Sequence, residues 1–279
     1  MIGLIMVAMG RVGCLTGERI FFHYLGEGQN GLATTLVAFG GADVLLWLAA
    51  GLTGGAAVMP GAFYPSLVYA SHFVLYTTAF GMGPVSEVSP WTNVTVLMLF
   101  FIAPVGGVAA GLGLLGFAIG MGFFLQPGGR NWMPIGVMVA SDLLLVIGRL
   151  FDLGRASGAP LAYAANMYGW VTLWLAIAVL VLGRGGDTVE LIRRRPGWAG
   201  LASASNAASY VSLVLLIHRL PLAILESLGS VAALLASLIG TFWLMEPIGR
   251  RKMMASWLMS GGAVLLLWDH LHSAKGGGL

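Results

Sequence analysis

Ten apolar stretches of about bilayer-spanning length take up nearly the whole chain, and six of them carry a charged or amide residue near the centre. The stretches run over 2–25, 31–52, 62–80, 84–103, 107–125, 132–153, 160–182, 199–217, 220–244 and 253–270. Each approaches the roughly 20 apolar residues that cross a hydrocarbon core. The polar centres are Arg11, Asp43, His72, Asn93, Asp142 and Asn206. On insertion scales a charge at that depth costs roughly 2.5–3.5 kcal/mol, so several together imply a shared polar interior.

Composition closes off other readings. Of 279 residues 58% are hydrophobic and only 9% charged, against about 25% charged in a soluble domain. The expectation is an all-α integral membrane protein with no soluble domain. Gly and Pro mark the breaks, as at GEGQN (26–30), GLTGGAAVMP (51–60) and QPGGRN (126–131). The one long hydrophilic segment, 183–198, is read as a loop with a short amphipathic turn around Val189–Ile192. Cys14 stands alone, so no internal disulfide forms. The net charge of +3 is read as loop charge that sets orientation, and nucleic acid is not an expected partner. The N-terminus has no basic n-region, and Arg11-Val12-Gly13 before Cys14 makes no lipoprotein cleavage site. The first stretch is therefore read as a retained helix, not a signal peptide.

The chain also repeats itself. Arg19-Ile20-Phe21 recurs as Arg149-Leu150-Phe151, Leu32-Ala33 as Leu161-Ala162, and Pro84 as Pro221, at offsets of 130, 129 and 137 residues. Two halves of five helices follow, 1–127 and 128–279. Five is odd, so the second half enters the membrane from the opposite face. Such an inverted repeat is the architecture of many secondary transporters.

These residues resemble an EamA-type member of the drug/metabolite transporter (DMT) superfamily over essentially the full length. Gly26-Glu27-Gly28 followed by Leu32-Ala33 is similar to the opening of a family repeat. The best match runs from Leu220-Pro221 through Ala232-Ala233-Leu234-Leu235 to Met245-Glu246-Pro247 and then Gly261-Gly262, with Gly83-Pro84-Val85-Ser86 to Pro90 as its first-half copy. The chain departs from the pattern where Ala103-Pro104-Val105 lacks the Glu found at Glu246, and where Phe39 stands near the Arg of many relatives. The resemblance implies a transporter whose central cavity is bordered by the fourth and ninth helices. On that basis Glu226 and Glu87 would flank opposite entrances.

Arg11 and Glu18 are seven residues apart on one face of the first helix, and Asp142 and Arg149 repeat that spacing with reversed signs in the sixth. Arg11 and Asp142 both fall within about 4 Å of the midplane, so Arg11–Asp142 is the expected ion pair. It is read either as a lock between helices or as a gate or substrate contact. Asp43 is a second midplane carboxylate, read as an interhelical hydrogen-bonding group or as a proton or cation site, since a carboxylate kept from water can exchange protons near neutral pH. His72, Asn93, Asn166 and Asn206 are read as interhelical bonds or as parts of the polar path. Trp91, Trp170 and Trp243 are candidates to line a pocket, with interfacial anchoring as the alternative. The Gly series from Gly106 to Gly122, with Gly261 and Gly262, marks packing faces and leaves a homodimer open. No nucleotide loop, metal cluster or nucleophile–base spacing is present, so no cofactor and no metal are expected.

Loop charge divides unevenly. Arg130, Arg184, Arg193, Arg194, Arg195, Arg250, Arg251 and Lys252 fall on one side, and Arg149, Arg155, Arg219 and Lys275 on the other. Eight against four puts the first side in the cytoplasm and both termini outside, whereas the resemblance implies cytoplasmic termini. The function expected is secondary transport of a small polar metabolite, coupled to a proton or cation or driven by exchange, in a prokaryotic inner membrane. The competing readings are a membrane-embedded enzyme on a lipid-linked substrate, using Glu18, His23 or His72, and an assembly subunit without a substrate.

Overall fold

Helix boundaries follow local chemistry. Asn30 caps α2 (Gly31–Leu52), its side-chain oxygen accepting from the N–H groups of Leu32 at 2.9 Å and Ala33 at 3.3 Å. Proline opens α8 (Pro160–Val181) and α10 (Pro196–Leu216), where its missing N–H is not needed. In the computed structural model, which describes residues 2–55, 57–102, 107–124, 132–155, 159–243 and 250–276, the described chain is helical with no strand. The remaining helices are α1 (Ile2–Gly26), α3 (Phe63–Met82), α4 (Val85–Val88), α5 (Val94–Ile102), α6 (Val108–Phe124), α7 (Trp132–Arg155), α9 (Gly185–Arg194), α11 (Leu222–Phe242) and α12 (Arg250–Gly276). Ala103-Pro104-Val105, Arg130 and Met245-Glu246-Pro247 lie outside the described residues.

Among the described residues, five helices are long and apolar enough to cross a membrane: α2, α7, α8, α10 and α11. They fit an integral membrane protein. Bulky apolar side chains on outer faces, such as Phe101, Val108 and Leu180, are exposed as lipid contact requires.

Two elements differ from expectation. The helix expected over 84–103 is broken into α4, a 3-10 segment at Ser89–Asn93, and α5. Pro90 lacks the N–H that a continuous helix needs there, and the chain tightens instead. The amphipathic turn around Val189–Ile192 extends into all of α9.

Neighbouring contacts fix helix directions. Phe22 meets Tyr76 at 6.0 Å between ring centroids, and His23 meets the Phe80 carbonyl at 3.1 Å, so α1 and α3 run parallel. Along α7 the order is reversed: Pro134 lies by Gly83, Ser141 bonds His72, and Arg149 bonds Tyr69. Hence α7 is antiparallel to α3 and to α1. Helix α1 packs most extensively on α10, and α7 on α3. Helices α6 and α12 cross through glycine, where a Cβ on Gly113 would come within 2.7 Å of the Gly262 carbonyl oxygen.

Candidate functional site

Three charged side chains meet where α1, α7 and α11 converge. Arg149 Nε donates to Glu226 Oε1 at 2.6 Å, and Arg11 Nη2 donates to the same oxygen at 3.4 Å. Glu226 thus bridges two buried guanidinium groups. Arg11 Nη1 also donates to the Ser209 carbonyl at 2.9 Å. The expected Arg11–Asp142 pair is not formed. Helix α1 packs on α10 and α11 while α7 packs on α3, so α11 stands ready to offer Glu226 to both arginines. A shared depth does not make neighbours.

Asp142 is fully buried against the hydroxyl and N–H of Thr95 on α5, and neither of its carboxylate oxygens reaches full hydrogen-bond geometry with a partner. A buried carboxylate so weakly held is costly to keep, and Asp142 lines a cavity of about 50 Å³ together with Arg11, Arg19, Arg149 and Glu226. That volume has room for a few waters. His72 lines the same cavity and is tied to Ser141, whose hydroxyl and carbonyl lie 2.8 and 2.9 Å from its Nδ1. Glu18 lines it too and accepts from the Ser209 hydroxyl at 2.7 Å.

Three parts of this site escaped the sequence reading. Arg19 reaches the cavity from α1, donating to the Gly229 carbonyl at 2.6 Å and to Thr92 Oγ1 at 2.7 Å. It is the repeat partner of Arg149, and that equivalence was its available signal. Asp152, three residues beyond Arg149, accepts from the hydroxyls of Tyr69 at 2.5 Å, Tyr163 at 2.7 Å and Tyr210 at 3.1 Å, and from Arg149 at 3.4 Å. Its partners come from α3, α8, α10 and α7, so one carboxylate ties four helices at that end of the site. Aromatic lining comes from Phe73, Tyr76, Tyr168 and Tyr210.

The other expected residues lie elsewhere. Asp43 sits half-buried on α2 against Gly169 of α8, outside the cavity lining. Asn93 is in the 3-10 segment, donating to the Pro90 carbonyl at 2.9 Å and contacting the Met259 sulfur at 3.6 Å. Asn206 accepts from the Tyr168 hydroxyl at 2.6 Å behind the lining. Asn166 holds the 57–59 segment, accepting from the Met59 N–H and donating to the Ala57 carbonyl. Trp91 and Trp170 pack on Trp132 and Phe63, and Trp243 is exposed, so none of the three lines this cavity.

Opposite the Asp152 end, an open recess of about 450 Å³ is lined by His23, Glu27 and the Gly81–Pro84 segment. One helical turn below His23 and Phe80, Arg19 and Tyr76 line the buried cavity. The two spaces are thus separated by roughly one layer of side chains.

No family model matches the chain. No curated protein matches it either. One solved crystal structure of a protein superposes with a TM-score of 0.67 over 96% of this chain and 99% of the other, at 15% sequence identity. That likeness extends to the fold alone.

Proposed function

We propose that the protein is a secondary transporter of a small polar metabolite, of the EamA type, built from two inverted five-helix repeats over 1–127 and 128–279. The observation that carries this reading is the enclosed cavity in which Asp142 forms no ion pair with the three arginines that line it. Such a polar centre in an apolar bundle is where a carrier binds its cargo. The antiparallel run of α1 and α7 supports the inverted repeat, and so do the reciprocal pairings of α1 with α10 and α7 with α3.

In this mechanism the geometry is that of a carrier closed at the Asp152 end and recessed at the His23 end. Opening the closed end breaks the bonds that Asp152 accepts from Tyr69, Tyr163 and Tyr210 on three helices. Glu226 bridges Arg11 and Arg149, with Asp152 as a second counter-charge to Arg149, and Asp142, outside these pairs, is the group that exchanges a proton or cation, or meets the cargo, as the halves rock. The test is solute exchange at two pH values. Transport that varies with pH in the native protein and is lost in Asp142→Asn supports the scheme. Full activity without pH dependence in both would sink it.

A further inference from the structure

A second concavity lies on the outside of the bundle, and its chemistry differs from that of the central site. It is a groove of about 630 Å³ between α1, α10 and α11. Its floor on α1 is formed by Gly13, Gly17 and Ile20, and its upper end by Tyr24, Trp198 and Trp243. Gly13 leaves the floor bare, since a Cβ there would meet nothing within 4 Å, while the Phe21 ring covers Gly17. Trp198 stacks on Tyr24 with centroids 4.6 Å apart, and Trp243 is 81% exposed. Trp and Tyr at such a mouth suit the headgroup level of a bilayer.

Length and charge identify an occupant. From Gly13 to Tyr24 are eleven residues, about 16 Å at helical rise. That is close to half of a ~30 Å hydrocarbon core, the depth of one leaflet. The mouth carries positive charge. Arg195 donates through Nη1 to the carbonyls of Tyr24 and Leu25 at the end of α1, which sets its guanidinium at the head of the groove. Arg193 and Arg194 precede it on the exposed end of α9, Arg194 pairing with Glu190 at 2.5 Å and Arg193 adding positive charge, and that helix presents Val189 and Ile192 on its surface. An amphipathic helix with a basic end lies in a membrane interface.

We propose that the groove binds one acyl chain of an anionic phospholipid, with its phosphate held by the arginines at the junction of α9 and α10. Exchange of one lipid tail for another gains little, because both environments are equally apolar. Selection therefore rests on the headgroup, where each basic residue near an anionic surface favours binding. This site is separate from the transport cavity and stands whether or not the protein moves a solute.

The test is native mass spectrometry of the full-length protein mixed with dioleoyl phosphatidylglycerol or dioleoyl phosphatidylcholine. The native protein should retain one phosphatidylglycerol in preference to phosphatidylcholine. Gly13→Leu, which fills the groove, should abolish retention with unchanged helicity by circular dichroism. Arg193→Gln, away from the α1 terminus, should weaken phosphatidylglycerol by about fivefold, the worth of one basic residue at an anionic surface. Equal retention of both lipids, undiminished binding by Gly13→Leu, or a lipid-free dimer as the stable species would overturn the proposal.

Discussion

Phe39 and Tyr168 stack on each other, with ring centroids 4.7 Å apart and planes inclined by 16°. They are 129 residues apart, the same offset that relates Leu32-Ala33 to Leu161-Ala162. Under the proposed repeat the two are equivalent positions, and equivalents that touch lie on the axis relating the halves. A second correspondence agrees. Arg11 bonds the Ser209 carbonyl at 2.9 Å, and their counterparts at offsets of 130 and 137, Ser141 and His72, bond each other. One contact has been elaborated into a charged site and the other into a neutral lock.

If α1 and α7 enter from opposite faces, their ends are on opposite sides of the membrane. In a Cys14→Ser background, Glu27→Cys and Gly154→Cys should react with an impermeant thiol reagent from opposite sides of oriented vesicles. Both positions are exposed, so access does not limit labelling. Labelling from one side alone would contradict the inverted repeat.

Glu226 and Asp142 should respond to neutralisation in opposite ways. Glu226→Gln leaves Arg11 and Arg149 buried without their shared carboxylate, a loss of about 3–5 kcal/mol for a broken buried pair. Asp142→Asn removes a buried charge met only by Thr95, so thermal stability in detergent should hold or rise. Equal destabilisation by both would mean that Asp142 has a structural partner.

The glycine crossing of α6 and α12 gives a paired test. Gly113→Ala puts a Cβ against the Gly262 carbonyl, and overpacking of this kind costs about 1–3 kcal/mol. Gly261→Ala meets nothing within 4 Å and should be neutral or slightly stabilising, as in a helix interior. Unfolding midpoints of the two variants should separate in that order.

Tyr163→Phe removes one of three hydroxyls that hold Asp152. A hydrogen bond to a charged group contributes about 1.5 kcal/mol or more, and a lowered melting temperature should report it. In transport the same variant should loosen the closed end, seen as faster thiol labelling of Ala162→Cys, buried beside residue 163. An unchanged labelling rate would remove Asp152 from the gate.

The apolar segments were legible because bilayer length and Gly or Pro punctuation leave few alternatives, and most helix ends fell within a few residues. The break at Ser89–Asn93 had its signal in Pro90, outweighed by the apolar run around it. Arg11, Glu18, His72, Asp142 and Glu226, which stand out in the sequence as polar groups in apolar segments, line one cavity. Their pairing was not legible, because depth along a helix says nothing about which helices adjoin. Asp43 shows the converse: central in its segment, it faces α8 and not the cavity. Asp152 was hidden by its place near a helix end, where sequence alone reads a solvated charge; only packing reveals its three tyrosine partners.

The most direct measurement is counterflow in proteoliposomes loaded with pooled amino acids, nucleosides, sugars and amines, with Asp142→Asn as control. Saturable exchange of one solute class, lost in the control, is the predicted result. No exchange for any pool by protein shown to be folded would contradict the account.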